Sequence, residues 1–260
     1  MMKQNNLLLL ALKQIFELSS VPCNTYRFVS AELGMVRSVK GTLEVSEQIF
    51  MLGQPYRLTE GRILLMHAGY IRVRANLIEF TLSAKQLIVA SPGTILQVLE
   101  VSNDCELEML AFTNSLMEGW QKETLLQMFL QGRLYVQLDL AEKEEKRIQQ
   151  FFDMLWDVVH DETFPREIVR SLIAALFHQI YAYRMREMSE DKQQRTRQEE
   201  VFNRFLLLVN KYAIRERNII FYAERLYLTP RYLSTLIRQT SGRTVMDWVN
   251  EAVVQEAKLL

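Results

Sequence analysis

Cysteine, histidine and long apolar runs are all scarce in this sequence, and each shortage excludes a class of protein. The 260 residues include two cysteines, Cys23 and Cys105, too few and too far apart for a disulfide framework or a zinc site. No stretch reaches the roughly 18–20 apolar residues of a membrane-spanning helix. The apolar run at residues 7–12 is too short for a signal peptide and lacks a cleavage site. We therefore expect reduced thiols, a cytoplasmic protein and no membrane partner.

Net charge is also absent, but the charges are unevenly spread. The chain has 31 Lys and Arg against 31 Asp and Glu. Residues 201–260 hold nine basic and five acidic side chains, a net charge of +4, so the remainder carries −4. A basic end on a neutral chain indicates a polyanionic partner for that end. The length fits one large domain or two modest ones, of which two are favoured, and the 49% hydrophobic content predicts a globular protein with a core.

Turn residues are concentrated in the first half of the chain. Residues 20–113 contain six of the nine glycines and three of the five prolines. Between them lie short runs rich in strand-forming residues, which predict a β-sandwich or β-barrel. In "YIRVRANLIEF", Ile71 and Val73 alternate with Arg72 and Arg74, so one face is apolar and the other wet. The arginines belong to that wet face or line a pocket for an anionic effector. Gly69 is expected to take a positive φ in the preceding turn.

Helical spacing replaces the strand pattern after residue 112. This spacing predicts a helix within 115–132, and apolar residues at helical intervals in the segments 140–162 and 164–188 predict two further amphipathic helices. The last of these helices carries a wide stripe that could cover the β-domain, a second chain or both, and a homodimer is therefore expected: Ile168, Leu172, Ala175, Leu176, Gln179, Tyr183, Ile173, Phe177 and Ile180. Residues 189–200 contain no apolar side chain, so they form a linker or a solvated helix. The first residues, 1–18, are interpreted as an amphipathic helix or arm.

Catalytic and metal-binding patterns are missing. His67 is the one histidine in the β region, while His160 and His178 fall in the helices. No catalytic triad order, phosphate-binding glycine loop or zinc spacing is present. We therefore expect structural histidines, no cofactor, no metal and no enzymatic activity. The least favoured alternative is a cupin-type metalloenzyme.

A helix-turn-helix pattern lies near the end of the chain. Residues 220–226 form a first helix with Ala223 inside it, and a short turn leads to Thr229 and Pro230, a favourable N-cap and first helical residue. Leu233, Leu236 and Ile237 face inward at helical spacing, and Gly242 ends the second helix as a left-handed cap. Two helices joined by a tight turn fit a DNA-binding helix-turn-helix. The alternative is a packed helical hairpin that does not bind DNA.

The outward face of the second helix predicts the DNA-binding residues. These are Arg231, Tyr232, Ser234, Thr235 and Arg238. Arginine can bond the O6 and N7 atoms of guanine, Ser and Thr can bond several base edges or phosphates, and a Thr methyl can touch a thymine methyl. In this motif the N-terminal half of the second helix reaches the bases.

This end of the chain resembles the first half of the DNA-binding domain of AraC/XylS-type transcription regulators. The matching positions are Ala223, Leu228, Thr229, Tyr232, Leu233, Ile237, Gly242 and Trp248. Ile237 replaces a commoner Phe, and Trp248 a commoner Tyr. The match covers about the last 50 residues. The resemblance implies Arg231, Ser234 and Thr235 as base readers, with Arg238 near them. It also implies a cupin-like domain upstream, which binds a small-molecule effector or only mediates contacts, and nearby helices that dimerise.

These observations predict an α+β protein with a cupin-like β-barrel or sandwich, following helices and an all-α helix-turn-helix domain. The expected divisions are a sensory domain over 1–113, a helical dimerisation region over 114–188, a linker over 189–200 and a partial DNA-binding domain over 201–260. The family's DNA-binding domain has two helix-turn-helix units, and this sequence matches only the first. We therefore expect that the sequence is truncated before the second unit. The expected function is sequence-specific regulation of transcription on double-stranded DNA. The alternative is an effector-binding or dimerising module that does not bind DNA in this form.

Overall fold

The protein has an α+β fold in which two mainly antiparallel sheets precede a series of helices. The computed structural model describes residues 9–10, 25–38, 52–117, 135–161, 164–190 and 197–259. The chain divides into two compact units: a strand unit, residues 9–75 and 79–187, and a helical unit built on residues 188–260. None of the described helices is long and apolar enough to cross a membrane.

Eleven strands are described, and they form a five-stranded and a six-stranded sheet. The strands are β1 Leu9–Leu10, β2 Thr25–Val29, β3 Leu33–Ser38, β4 Pro55–Leu58, β5 Gly61–Ala68, β6 Tyr70–Ala75, β7 Ile78–Ser83, β8 Gln86–Ala90, β9 Ile95–Val101, β10 Glu106–Phe112 and β11 Tyr135–Asp139. The smaller sheet has the order β1-β4-β9-β6-β7, and the larger has the order β11-β8-β5-β10-β3-β2. The short β1 pairs with β4 in parallel, and the other registered pairs are antiparallel.

The larger sheet is buried on both faces, as the alternation along β5 demonstrates. Met66 packs between the two sheets with Val73 and Val98, whereas Ile63 and Leu65 belong to a cluster that includes the helices. Successive side chains of a strand point to opposite faces, so β5 contributes to two cores at once. Gly69, in the turn after β5, has φ +67, and a Cβ there would meet Ser102 Oγ at 2.2 Å. The expected need for glycine in this turn is confirmed.

Two helices cover the outer face of the larger sheet. They are α1, Glu142–Val159, and α2, Arg166–Glu190. The wide apolar stripe predicted on α2 is divided by its surroundings: Ile173, Phe177 and Ile180 are buried in the cluster with the sheet, but Ile168 is 53% exposed. Arg166 anchors the start of α2, since its Nε and Nη2 donate to the carboxylate of Glu32 at 2.6 and 3.0 Å. The stripe therefore covers the β-domain through one half of its width.

Predictions about three segments can be compared with the described residues. Residues 135–139 form a strand, β11, which pairs with β8, although residues 114–188 were expected to be helical; a five-residue alternating strand is too short to stand out among helical patterns. Residues 189–200 were expected to form a linker or a solvated helix, and both ends of the segment are helical: α2 extends to Glu190 and the next helix begins at Arg197. Within the segment 1–18, which was interpreted as an amphipathic helix or arm, Leu9–Leu10 is a short strand. Cys23 and residues 118–134 lie outside the described residues, and Cys105 is buried as a free thiol.

The helical unit has four helices within residues 197–259. They are α3 Arg197–Tyr212, α4 Ile219–Arg225, α5 Pro230–Ser241 and α6 Val245–Leu259. Phe205 and Val209 on α3, Ala223 on α4 and Val249 on α6 are each fully buried in one cluster. Because α5 contributes Leu233, Leu236 and Ile237 to that cluster, its position is fixed by α3, α4 and α6 together.

Candidate functional site

The helix α5 begins and ends at the residues that its sequence predicts. Thr229 is its N-cap, and the side-chain oxygen accepts a hydrogen bond from the backbone N–H of Tyr232 at 3.2 Å. Pro230 occupies the first helical position, where its missing N–H costs nothing. Gly242 ends the helix with φ 72, and its N–H donates to the carbonyl of Arg238 at 2.9 Å. The predicted start and stop of this helix are confirmed.

The helices α4 and α5, with the turn that joins them, form a helix-turn-helix. Ala223 is fully buried, and its carbonyl accepts the N–H of Leu228 at 2.9 Å, which closes the turn. Tyr227 lies in the turn with φ 58 and is 90% exposed. A small residue in the first helix allows the second helix to approach closely, and the left-handed residue reverses the chain.

The predicted DNA-binding residues form one exposed stripe on α5. The reading stripe, as we name it, consists of Arg231, Ser234, Thr235 and Arg238, at helical positions i, i+3, i+4 and i+7, and all four are exposed. Tyr232 lies beside it and is 50% exposed. The opposite face is buried: Leu233 and Ile237 are 0% exposed. The structure therefore brings the five predicted residues to one surface, and whether they bind DNA stays a prediction.

Side chains of the reading stripe differ in their own hydrogen bonds. Within residues 197–259, the guanidinium of Arg231 and the hydroxyl of Ser234 make no hydrogen bond or ion pair with another residue. Thr235 Oγ1, by contrast, donates to the carbonyl of Arg231 at 3.1 Å. The hydrogen bonds of Thr244 are the main cause of the lowered pKa of Asp247, and the charge of Arg238 contributes least to it. Arg231 and Ser234 can therefore bond an external partner without first breaking an internal contact.

A second group of contacts, which the sequence did not predict, fixes α5 against α6. Ser241 Oγ donates to the carbonyl of Ile237 at 2.7 Å and accepts the indole N–H of Trp248 at 3.0 Å. The guanidinium of Arg243 stacks over the Trp248 ring at 4.2 Å and pairs with Glu251 at 2.6 Å. Only the spacing of seven residues between Ser241 and Trp248, two turns apart, could have indicated the pair.

The strand unit contains a cavity of about 50 Å³ between its two sheets. Its lining is apolar except for Arg62: Leu58, Leu64, Ile71, Val73, Leu82, Ile88, Ala90, Leu96, Val98 and Met109. Arg62 is 4% exposed, and burial lowers the pKa of its guanidinium to about 10 although Glu60 lies 3.8 Å away. This space exceeds what one water occupies, so the cavity can hold a small apolar molecule.

A charged cluster joins α1 to the larger sheet. His67 lies at an irregularity of the β5–β10 register, with Nε2 3.4 Å from Glu108 and Nδ1 3.5 Å from Glu145 on α1. Arg37 on β3 binds Glu108 on β10 and also Asp153 on α1. Burial, the largest single effect, lowers the pKa of His67, but the hydrogen bonds and charges of Glu108 and Glu145 together raise it above its usual value.

Other candidate binding residues of the strand unit are engaged with their neighbours. Arg72 is paired with Glu100 at 2.9 Å and Arg74 with Glu79 at 2.7 Å, on the face of β6 opposite the buried Ile71 and Val73. These arginines belong to the wet face of the strand and do not line the cavity. Among the described residues, no group of three His, Cys, Asp or Glu side chains is arranged to hold a metal ion.

Comparisons with known proteins found similarities in structure but not in sequence. No protein-family model matches the chain, and no curated protein matches it. The AraC-like transcriptional activator CuxR is similar with a TM-score of 0.37 at 11% identity, over 89% of this chain and 79% of that chain. ToxT from Vibrio cholerae O395 gives a TM-score of 0.34 at 9% identity, over 90% of this chain and 79% of that chain. Wild-type ToxT bound to an unsaturated fatty acid gives 0.33 at 12% identity, over 86% of this chain and 97% of that chain.

Proposed function

We propose that this protein is a sequence-specific DNA-binding regulator of transcription that reads the major groove with α5. The observation that carries the proposal is the reading stripe: an exposed row of Arg231, Ser234, Thr235 and Arg238 on a helix whose other face is wholly buried. A recognition helix needs this division, because one face must be rigidly supported while the other meets base edges. The proposal assigns the protein no catalytic activity.

Charge and position support the same partner. Arg231 is the second residue of α5, and the N-terminal residues of a recognition helix are those that reach the bases. The partial positive charge of the helix dipole at that end also favours a nearby phosphate. A planar guanidinium without an internal partner can donate two hydrogen bonds to the O6 and N7 atoms of guanine. We therefore assign Arg231 to a guanine and Arg238, about two turns further from the helix start, to the same groove or its phosphates.

The test is the affinity of the full chain for duplexes that it enriches from a random-sequence pool. Replacing Arg231 by Ala should weaken binding by about 1–3 kcal/mol and relax the base preference at one or two positions. Arg204→Ala is the matched control, because Arg204 is exposed on α3 and outside the reading stripe. Equal affinities of the wild type and the Arg231→Ala variant, with unchanged base preference, would refute the assignment.

We also propose that the cavity between the two sheets is the site of a small, mainly apolar effector. Its apolar lining and its position inside the sandwich support this role. Short aliphatic alcohols, from butan-1-ol to hexan-1-ol, are suitable probes and should raise the melting temperature of the wild-type chain. Ala90→Leu fills part of the cavity and should abolish that rise; if the rise persists in this variant, the ligand binds elsewhere.

A homodimer formed through α2 is the remaining part of the proposal. Ile168 is 53% exposed, Ala175 is exposed and Leu172 is half-buried, and these three residues follow one face of the helix. Sedimentation of the full chain at micromolar concentration should reveal a dimer, and Ile168→Glu should dissociate it without changing the free energy of unfolding of the monomer. A monomeric wild-type chain under these conditions would contradict the dimer.

A further inference from the structure

Ser234 and Thr235 both carry a hydroxyl on the reading stripe, but the protein holds the two groups differently. Thr235 Oγ1 donates its proton to the carbonyl of Arg231, four residues earlier, at 3.1 Å. The Ser234 hydroxyl has no such bond within residues 197–259. Both residues are exposed, so the difference does not arise from burial. Only Ser234 retains a hydroxyl donor for an outside partner.

The internal hydrogen bond decides which part of Thr235 an outside partner meets. The oxygen, the methyl group and the hydrogen on Cβ take the three staggered positions. When the oxygen turns to the carbonyl of the preceding turn, the methyl occupies another position on the exposed side of the helix. Thr235 therefore presents an apolar surface within a polar stripe.

We propose that Thr235 recognises DNA through its methyl group, by contact with the C5-methyl of a thymine in the major groove. This inference rests on the proposed function of α5. The thymine methyl is the one apolar group that bases display in that groove, and the methyl group of threonine is a fitting contact for it. Ser234, with its hydroxyl free to rotate, is the neighbouring polar reader.

The spacing along α5 places this thymine relative to the base that Arg231 reads. Side chains four residues apart on a helix have Cβ atoms about 5–6 Å apart. Successive base pairs are separated by about 3.4 Å along the duplex axis. The guanine bound by Arg231 should therefore lie within about two base pairs of the thymine, on either strand.

The experiment replaces single thymines by deoxyuridine, which removes only the C5-methyl. Duplexes are first enriched by the full chain from a pool with a random stretch of about 20 base pairs, enough for one full site. At one thymine, deoxyuridine should weaken binding about fourfold, which is about 0.8 kcal/mol, the value of one buried methyl-sized group. Thymines outside the contacted stretch serve as internal controls and should show no effect.

Two variants of Thr235 separate the methyl from the hydroxyl. Thr235→Val keeps a methyl in place without the hydroxyl, so it should retain the fourfold discrimination. Thr235→Ser keeps the hydroxyl without the methyl, so its affinities for the two duplexes should become equal. Ser234→Ala is the matched control and should leave the discrimination unchanged. Circular dichroism establishes that each variant is folded.

Each result has a distinct meaning. If no thymine responds to deoxyuridine, or if the serine variant discriminates and the valine variant does not, the inference is overturned while the proposed function stands on its dependence on Arg231. If the chain enriches no sequence, or if Arg231→Ala binds the enriched duplexes unchanged, the proposed function fails and this inference fails with it.

Discussion

Arginine side chains have opposite surroundings in the two units of this protein. In the strand unit, Arg37 binds two carboxylates and Arg62 is buried beside Glu60. On α5 of the helical unit, Arg231 and Arg238 are exposed. Arg243, also in the helical unit, is held by Glu251 and Trp248, so the arginines of that unit do not all have the same surroundings. The strand unit uses arginine to balance its own buried charges, and the stripe keeps arginine available for an external anion.

The two units also differ in how much of each element is buried. The larger sheet is covered on both faces, by the smaller sheet and by α1 and α2. In the helical unit each helix keeps one exposed face, and the apolar side chains meet in a single cluster. Substitutions in the core of the strand unit should therefore change stability most, whereas substitutions on the reading stripe of α5 should change binding with little effect on stability.

The largest effect is expected from α2, where buried and exposed positions can be compared on one helix. Phe177 is fully buried and packs edge-on against Phe112, with ring centroids 5.4 Å apart. Phe177→Ala should lower the free energy of unfolding by about 3–5 kcal/mol, because it leaves a cavity in the core. Ile168→Ala, on the exposed side, should change the free energy of unfolding of the monomer by about 0.5 kcal/mol or less. Denaturant unfolding followed by circular dichroism measures both, and equal losses would disprove the division of the stripe.

A smaller effect is expected at the start of α5. Thr229→Ala removes the hydrogen-bond acceptor for the N–H of Tyr232 and should cost about 1 kcal/mol of stability. It should also weaken DNA binding, because the first turn carries Arg231. Thr229→Ser keeps the cap and is the control for both measurements. If the alanine variant binds enriched duplexes as tightly as the wild type, the first turn of α5 is not the reading end.

The smallest effect is a pH dependence in the strand unit. Glu108 and Glu145 face the two nitrogens of His67, and Arg37 binds the other carboxylate oxygen of Glu108. Since the pKa of His67 is raised in the folded state, its protonated form stabilises the fold. That contribution is complete below the ordinary value of about 6.5 and is lost as pH rises through the folded-state pKa.

The measurement compares wild type with His67→Gln between about pH 5.5 and pH 8.5, across the titration of histidine. The difference in the free energy of unfolding should favour the wild type at the acidic end and shrink as pH rises. Because the other histidines are present in both proteins, they cancel in the difference. A difference that stays constant with pH would exclude His67 as the titrating group.

Local sequence signals predicted α5 well because the causes are local. Thr229, Pro230 and Gly242 act through the backbone within one turn of their own positions, so their types alone predict where the helix begins and ends. The strand β11 was missed for the opposite reason. Its five residues become a strand by pairing with β8, about 50 residues earlier in the sequence.

The sequence by itself determined the order of strands before helices, the ends of α5 and which of its residues face outward, because each depends on residue type and periodicity over a few turns. Only the tertiary structure decided that α2 is half covered, that Arg62 lies inside the sandwich and that His67 faces two carboxylates. Those arrangements join residues from strands and helices far apart in the chain, and the free energy that selects them is gained when the whole surface between them is buried. The hydrogen bond of the Thr235 hydroxyl has both kinds of cause. The bond itself is local, within one turn of α5, but Thr235 is exposed to an outside partner only because the packing of α5 directs this face outward.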